Sequence, residues 1–169
     1  MNKKDIKKEF TELIEQNQGV IFKVSRTYCN NAICRDDLFQ DILLQLWKSF
    51  PVYDKTRKFS TWMYRIALNT AISQWRKDNA RKLNTSDELQ VNVSEGDTYN
   101  EKAERAQLLN QAINKLSKAE KSIIVLYMDD YPYDEISEIT GITISNVGVK
   151  INRIKKKLQE HLKELGYGL

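Results

Sequence analysis

Histidine is almost missing from these 169 residues, with His161 the single example, and cysteine is confined to Cys29 and Cys34. The commonest acid-base side chain and metal ligand is thus in short supply, so histidine-based hydrolysis and a Cys/His zinc site have little material to be built from. His161 stands far from both cysteines, on a lysine-rich stretch that reads as a helix. Cys29 and Cys34 are therefore read as small packing residues or free thiols, in keeping with a reducing compartment. No apolar run approaches the ~20 residues that span a bilayer, and Met1-Asn2-Lys3-Lys4 leads into charged sequence without the apolar core of a signal peptide. A cytoplasmic location is expected. Strand-type alternation of apolar and polar residues is absent as well, which argues against a sheet.

Hydrophobic residues make up 41% and aromatics 9% of the chain, enough to exclude disorder throughout. The length suits one compact domain or two of roughly 70 residues each. Charge placement favours two. Between Asp54 and Lys82 the bases Lys55, Arg57, Lys58, Arg65, Arg76, Lys77, Arg81 and Lys82 face only Asp54 and Asp78. From Asn84 to Glu104 the sign inverts, with Asp87, Glu88, Glu95, Asp97, Glu101 and Glu104 against Lys102. Bases return from Gly148 to Glu164. Two basic blocks separated by an acidic, Asn/Ser/Thr-rich stretch point to two modules that face nucleic acid, joined by a linker that phosphate repels.

Apolar residues recur every three or four positions, as at Ile6, Phe10 and Leu13, and at Leu38, Ile42 and Leu46 with Phe39, Leu43 and Trp47 beside them. That spacing predicts helices. Pro51 ends the second, Tyr53 to Lys58 reads as a charged loop, and a further helix is expected to start at a cap on Ser60 or Thr61 and run to about Arg76. The stretch from Asn79 to Asn100 lacks apolar periodicity, and Ser94-Glu95-Gly96-Asp97 is a turn-forming patch. Pattern resumes with Ala106, Leu109, Ala112, Ile113 and Leu116, after which Ser117-Lys118-Ala119-Glu120 matches a capping box.

The most specific motif runs from Tyr133 to Val147, YDEISEITGITISNV, and reads as helix-turn-helix. Ile136 and Ile139 give a short helix one buried face, Gly141 suits a left-handed turn residue, Ile142 plugs the corner and Thr143 caps a second helix. In that helix Val147, Ile151, Ile154 and Leu158 form the inward stripe. Ser145, Gly148, Val149, Asn152, Arg153 and Lys156 are left for other faces, from which Asn and Arg can pair with base edges in a major groove. Lys155, Lys156 and Lys157 are read as phosphate contacts or solubilising charge.

Taken in order, these segments resemble the extracytoplasmic-function group (ECF, group IV) of sigma-70 family RNA polymerase sigma factors, which keep only the domains sigma-2 and sigma-4. The resemblance rests on Asp36 to Trp47 (DDLFQDILLQLW), Phe59 to Ala71 (FSTWMYRIALNTA), the helix-turn-helix and Val147 to Arg153. It implies an all-α chain of two small helical domains, with sigma-2 over residues 1–78, an acidic flexible linker over 79–100 and sigma-4 over 101–169. It also implies binding to core RNA polymerase through the beta-prime clamp and beta flap, to promoter DNA, and to a membrane-bound anti-sigma factor, with no cofactor and no catalytic activity. By similarity Asp37, Gln40, Asp41, Leu44, Gln45 and Trp47 contact the clamp coiled coil. Carboxylates and Gln supply directional contacts to a basic partner there while Trp and Leu bury area. A magnesium site on Asp36, Asp37 and Asp41 is set aside, because about 100° of helix separates Asp36 from Asp37 and no histidine lies near.

By the same similarity Lys55, Arg57, Lys58, Phe59, Ser60, Thr61, Arg65 and Asn69 hold the melted non-template strand of the minus-ten element and a base flipped from it. Stacking on aromatics tolerates sequence and contributes ~1–3 kcal/mol per base, with bases neutralising phosphate alongside. Trp62, Met63 and Ile66 are read as core. Asn146, Gly148, Val149, Lys150, Asn152 and Arg153 match the helix that reads the minus-thirty-five element. Many relatives carry a basic residue at Gly148 and a small polar one at Val149, so their base preference does not transfer. An ordinary helix-turn-helix regulator is the first alternative and a nucleic-acid enzyme the second. The aromatic-basic block from Tyr53 to Lys77 discriminates: a repressor has no use for a single-strand surface, and an enzyme needs convergent acids or histidines beside it.

Overall fold

The apolar spacing does wind into helices, and the caps set where they begin. A computed structural model describes residues 2–84 and 101–168, and among these residues every regular element is helical. The chain divides between Asn92 and Val93 into two compact units. In the first, α1 (Lys3–Tyr28), α2 (Ala32–Ser49) and α3 (Phe59–Asn84) pack on one another, with a 3-10 turn at Phe50–Val52 where Pro51 falls. Asn31 caps α2 by accepting the Cys34 N–H at 2.8 Å, as short polar side chains do at this position. Ile21, Val24, Leu38, Ile42, Leu46, Met63, Tyr64 and Ala67 are buried between the three helices. Phe10 of α1 meets Trp47 and Phe50 edge-on, each at 5.1 Å, and so pins the start of α1 to the end of α2.

Three sequence expectations are corrected here. Cys29 and Cys34 are not free thiols: they form a disulfide across the α1–α2 turn. Cys29 caps α1 and Cys34 lies in the first turn of α2, so the turn brings their Cα atoms to 5.6 Å, inside the range a disulfide spans without moving backbone. Ser60 and Thr61 do not cap α3, since the helix already includes Phe59 and the Trp62 N–H donates to the Lys58 carbonyl. Nor does α3 stop near Arg76. It continues through Asn79-Ala80-Arg81-Lys82 to Asn84, a run with no Pro or Gly to break it and with bases in the last turn, where they complement the helix dipole. The remainder of the expected linker, residues 85–100 with Ser94–Asp97, lies outside the described residues.

The second unit is built around its last helix. Here α7 (Ile144–Glu164) packs against α4 (Glu101–Asn114), α5 (Lys118–Met128) and α6 (Tyr133–Thr140). The capping box is formed, with Ser117 Oγ accepting the Glu120 N–H at 3.2 Å and Glu120 accepting the Ser117 N–H at 3.0 Å. Gly141 ends α6 at φ 77°, a backbone state that favours glycine, and Thr143 Oγ1 accepts the Asn146 N–H to cap α7. Ala112, Leu116, Ile124, Leu126, Ile136, Val147, Ile151 and Ile154 form the core. His161 accounts for itself structurally, its Nδ1 lying 3.2 Å from the Ala112 carbonyl on α4.

Lys121 is the anomaly of this core. It is 3% exposed, and its ammonium donates to Asn114 Oδ1 at 3.4 Å with the Lys118 ammonium also beside it. Burial, with Lys118 adding like charge, lowers its pKa to about 8 from 10.5. The unfolded chain still holds that proton up to about pH 10.5, so unfolding takes up a proton between the two values and stability rises as pH climbs from about 8 to about 10.5. Denaturant unfolding near pH 7 and near pH 9.5 should show this rise, and Lys121→Met should be more stable at the lower pH and lose the rise. For the disulfide, the air-oxidised chain unfolded in guanidinium should show no thiol reactive toward a disulfide dye and two after reduction. Cys34→Ser should cost the first unit about 2 kcal/mol under oxidising conditions, because the closed loop is short.

Candidate nucleic-acid and polymerase interface

Leu38, Ile42 and Leu46 turn one stripe of α2 into the core, and that commits the rest of the helix surface. At about 100° per residue, Asp37, Gln40, Leu44 and Trp47 fall within about 80° of one another on the opposite side. Leu44 is 47% and Trp47 41% exposed, a large apolar presence for a helix face in water, set between a carboxylate and an amide. Asp41 and Gln45 lie round the helix toward α3. With Ser49 from α2 and Ile66, Asn69, Thr70, Ser73, Gln74 and Lys77 from α3, they line a cleft of about 500 Å³. The side-chain amide oxygen of Gln74, Oε1, is buried there without a hydrogen-bond partner.

The loop before α3 is held at both ends by aromatic rings. Tyr53 stacks against Phe50 and lies 4.8 Å from Trp62, while Phe59 meets Tyr53 edge-on at 5.4 Å and Trp62 at 5.3 Å. Between those anchors, Asp54 accepts both the N–H and the hydroxyl of Thr56, and Tyr53 donates its hydroxyl to the Arg57 carbonyl at 2.6 Å. The Thr56 bonds hold the Asp54 carboxyl below its ordinary pKa, and Arg57 adds to this. Such a loop is preorganised. Lys55, Arg57 and Lys58 project from it into solvent, although Lys55 is already paired with Glu9 of α1 at 2.5 Å. Phe59 and Thr61 are buried, and Ser60 is half-buried, so these three support the loop from beneath. Met63 is fully buried as expected, whereas Trp62 and Ile66 are half-buried. Arg65 and Asn69 are exposed along α3 on the side away from Met63 and Ala67, in line with Arg76.

In the second unit, Val147, Ile151, Ile154 and Leu158 point α7 inward, and Ser145, Val149, Asn152, Arg153 and Lys156 share the outward face. Asn146 and Lys150 are exposed on one flank. Gly148 is on the other flank, where a methyl group added to it would sit 3.4 Å from Cε2 of Tyr133. The triple-lysine run divides: Lys155 donates to the Tyr127 hydroxyl at 2.6 Å and Lys157 pairs with Glu120 at 2.5 Å, both on α5. Despite partial burial, which raises it, the Glu120 pKa is held low by Lys157 and by the capping bonds of Ser117. Two of the three lysines therefore tie α7 to α5. Tyr53, Glu9 and Tyr133 were not among the sequence candidates. A tyrosine heading the charged loop and another heading the helix-turn-helix were visible signals for two of them, while the Glu9 pairing spans 46 residues of sequence and leaves no local trace.

Two family models match, Sigma-70 region 2 over residues 13–81 and Sigma-70, region 4 over residues 106–158, so the chain belongs to the sigma-70 family of RNA polymerase sigma factors and is of the ECF type. It is similar to the ECF RNA polymerase sigma factor SigW of Bacillus subtilis, at 28% identity over 96% of this chain and 94% of that one. Among solved structures it resembles the sigma factor RpoE from Bartonella quintana, solved in complex with the anti-sigma factor NepR, with a TM-score of 0.78, 21% identity and coverage of 92% and 98% of the two chains. It also resembles CnrH in complex with the cytosolic domain of CnrY, with a TM-score of 0.66, 22% identity and coverage of 94% and 90%. These last two show the shared fold. Among the described residues no helix is long and apolar enough to cross a membrane, and no cluster of acids, cysteines and histidine is placed to hold a metal ion.

The contact at Gly148 yields a simple test. A methyl group 3.4 Å from the Tyr133 ring is in ordinary contact, while alanine favours helix over glycine by about 1 kcal/mol. Gly148→Ala should therefore raise the stability of the second unit by up to about that amount, read by thermal or urea unfolding.

Proposed function

We propose that this chain is a non-enzymatic initiation factor of the cytoplasm that docks on core RNA polymerase through α2, holds the melted minus-ten strand with its first unit and reads the minus-thirty-five element with its second. The domain limits of the reading are 1–78 for sigma-2, 79–100 for the linker and 101–169 for sigma-4. Asp37, Gln40, Leu44 and Trp47, with Asp41 and Gln45 beside them, form the surface for the beta-prime clamp. Lys55, Arg57, Lys58, Arg65 and Asn69 take the strand, with Phe59, Ser60 and Thr61 shaping the loop that presents them. Asn146, Val149, Lys150, Asn152 and Arg153 face the upstream duplex, with Gly148 as the flank that lets α7 approach closely. The beta flap is a further polymerase contact, and the regulator of the chain is an anti-sigma factor, the class of protein bound to RpoE in its solved complex.

One observation carries the reading. Asp41 and Gln45 of the docking helix share a cleft with Asn69 of the strand-holding helix, so engagement of polymerase and of DNA meet in one rigid three-helix unit. A helix-turn-helix regulator working without polymerase gives no reason for that union. With core enzyme and genomic DNA, the chain should produce start sites and unpaired thymines under permanganate, while binding promoter duplex weakly by itself. Absence of unpaired thymines at every genomic promoter would refute the assignment. Leu44→Arg changes an exposed position, and it should lower association with core enzyme at least tenfold and abolish open complexes while leaving the fold, read by circular dichroism, intact.

A further inference from the structure

We propose that Val149 reads the 5-methyl group of one thymine in the upstream promoter element, making that thymine a requirement of this chain. The inference rests on α7 being the helix that enters the upstream major groove, and it adds the chemistry of the base that is read. Val147, Ile151, Ile154 and Leu158 are all buried and set the inward direction of α7. Val149 points about 170° from the middle of that stripe, the outermost position in the N-terminal turns that a helix-turn-helix inserts deepest. It is 48% exposed, so the core gains little from it.

Its neighbours on the outward face are of another kind. Ser145, Asn152 and Arg153 carry hydrogen-bonding groups, and Lys156 on the same face and Lys150 on its flank carry charge that suits phosphate. Val149 has neither donor nor acceptor. A base edge placed against it surrenders water and receives no hydrogen bond, which penalises every polar group of the groove floor. The one apolar group that a base pair presents in the major groove is the C5-methyl of thymine. Geometry permits the contact: the adjacent Gly148 has no side chain to hold the groove away, and its flank is closed by the Tyr133 ring instead of by a long polar chain. The short, β-branched Val149 side chain can then reach the groove floor in the restricted rotamer that a helix imposes.

Holoenzyme made with the full chain is used to map a promoter, and each thymine of its upstream element is replaced in turn by deoxyuridine, which keeps base pairing and removes only the methyl. One replacement should weaken holoenzyme binding about fourfold, equal to about 0.8 kcal/mol at 1.36 kcal/mol per tenfold, with the other replacements within about twofold. Val149→Ala should lose a similar factor on the thymine duplex and become indifferent to that uracil. An upstream element without thymine, no uracil penalty at any position, or a penalty that persists in Val149→Ala overturns the inference while promoter opening stands. Failure to open any promoter with core enzyme overturns both the inference and the reading beneath it.

Discussion

The helices that carry the candidate sites, α2, α3 and α7, each turn one side inward, because a unit of fewer than a hundred residues has a single small core to bury it in. Leu38, Ile42 and Leu46 on α2, Met63, Tyr64 and Ala67 on α3, and Val147, Ile151, Ile154 and Leu158 on α7 make up those inward sides. Everything left over faces outward. The proposed function draws on the chemistry of those remaining faces: an acidic and apolar one on α2, a basic and amide-bearing one along α3, and a mixed polar one on α7. The aromatic cluster of Phe50, Tyr53, Phe59 and Trp62 extends the same economy to a loop, using rings at its two ends to hold basic side chains where a nucleic-acid strand can meet them.

The second unit balances a well-formed frame against one uncomfortable residue. The capping box on α5, the glycine turn after α6 and the Thr143 cap on α7 agree with one another about where each helix starts and stops. Lys155 and Lys157 add ties from α7 to α5, where sequence charge alone leaves phosphate contact and solubilising charge as their roles. Against these, Lys121 buries an ammonium with an amide oxygen and the like charge of Lys118 beside it and no carboxylate among the groups that shift it. Its burial makes the unit less stable than an apolar residue would at neutral pH, and nothing in the structure explains why a lysine occupies the site.

Much of this was legible because its causes are local. Ser117 and Glu120 three residues apart, Gly141 at a turn, and Val147, Ile151, Ile154 and Leu158 at helical spacing each act within one or two turns of chain, so a linear reading finds them. Loss of apolar periodicity after Arg76 points to an end of α3 that the structure does not show, because residues 79–84 contain no Pro or Gly and so continue the helix. In sequence, an aromatic among bases such as Phe59 fits stacking as well as core. That it is buried against Phe50, Tyr53 and Trp62 is visible only in the fold.

The amino-acid sequence by itself determined the helical class, the two-module order, the helix-turn-helix and the inward stripes, since these follow from period, capping and turn chemistry. Only the tertiary structure decided the Cys29–Cys34 bond, the Lys55–Glu9 pair, the contact of Gly148 with Tyr133 and the cleft that joins Asp41 and Gln45 to Asn69. Each of those depends on the angle or separation at which two segments meet, a quantity fixed by how side chains interlock across helices and carried by no single stretch of chain.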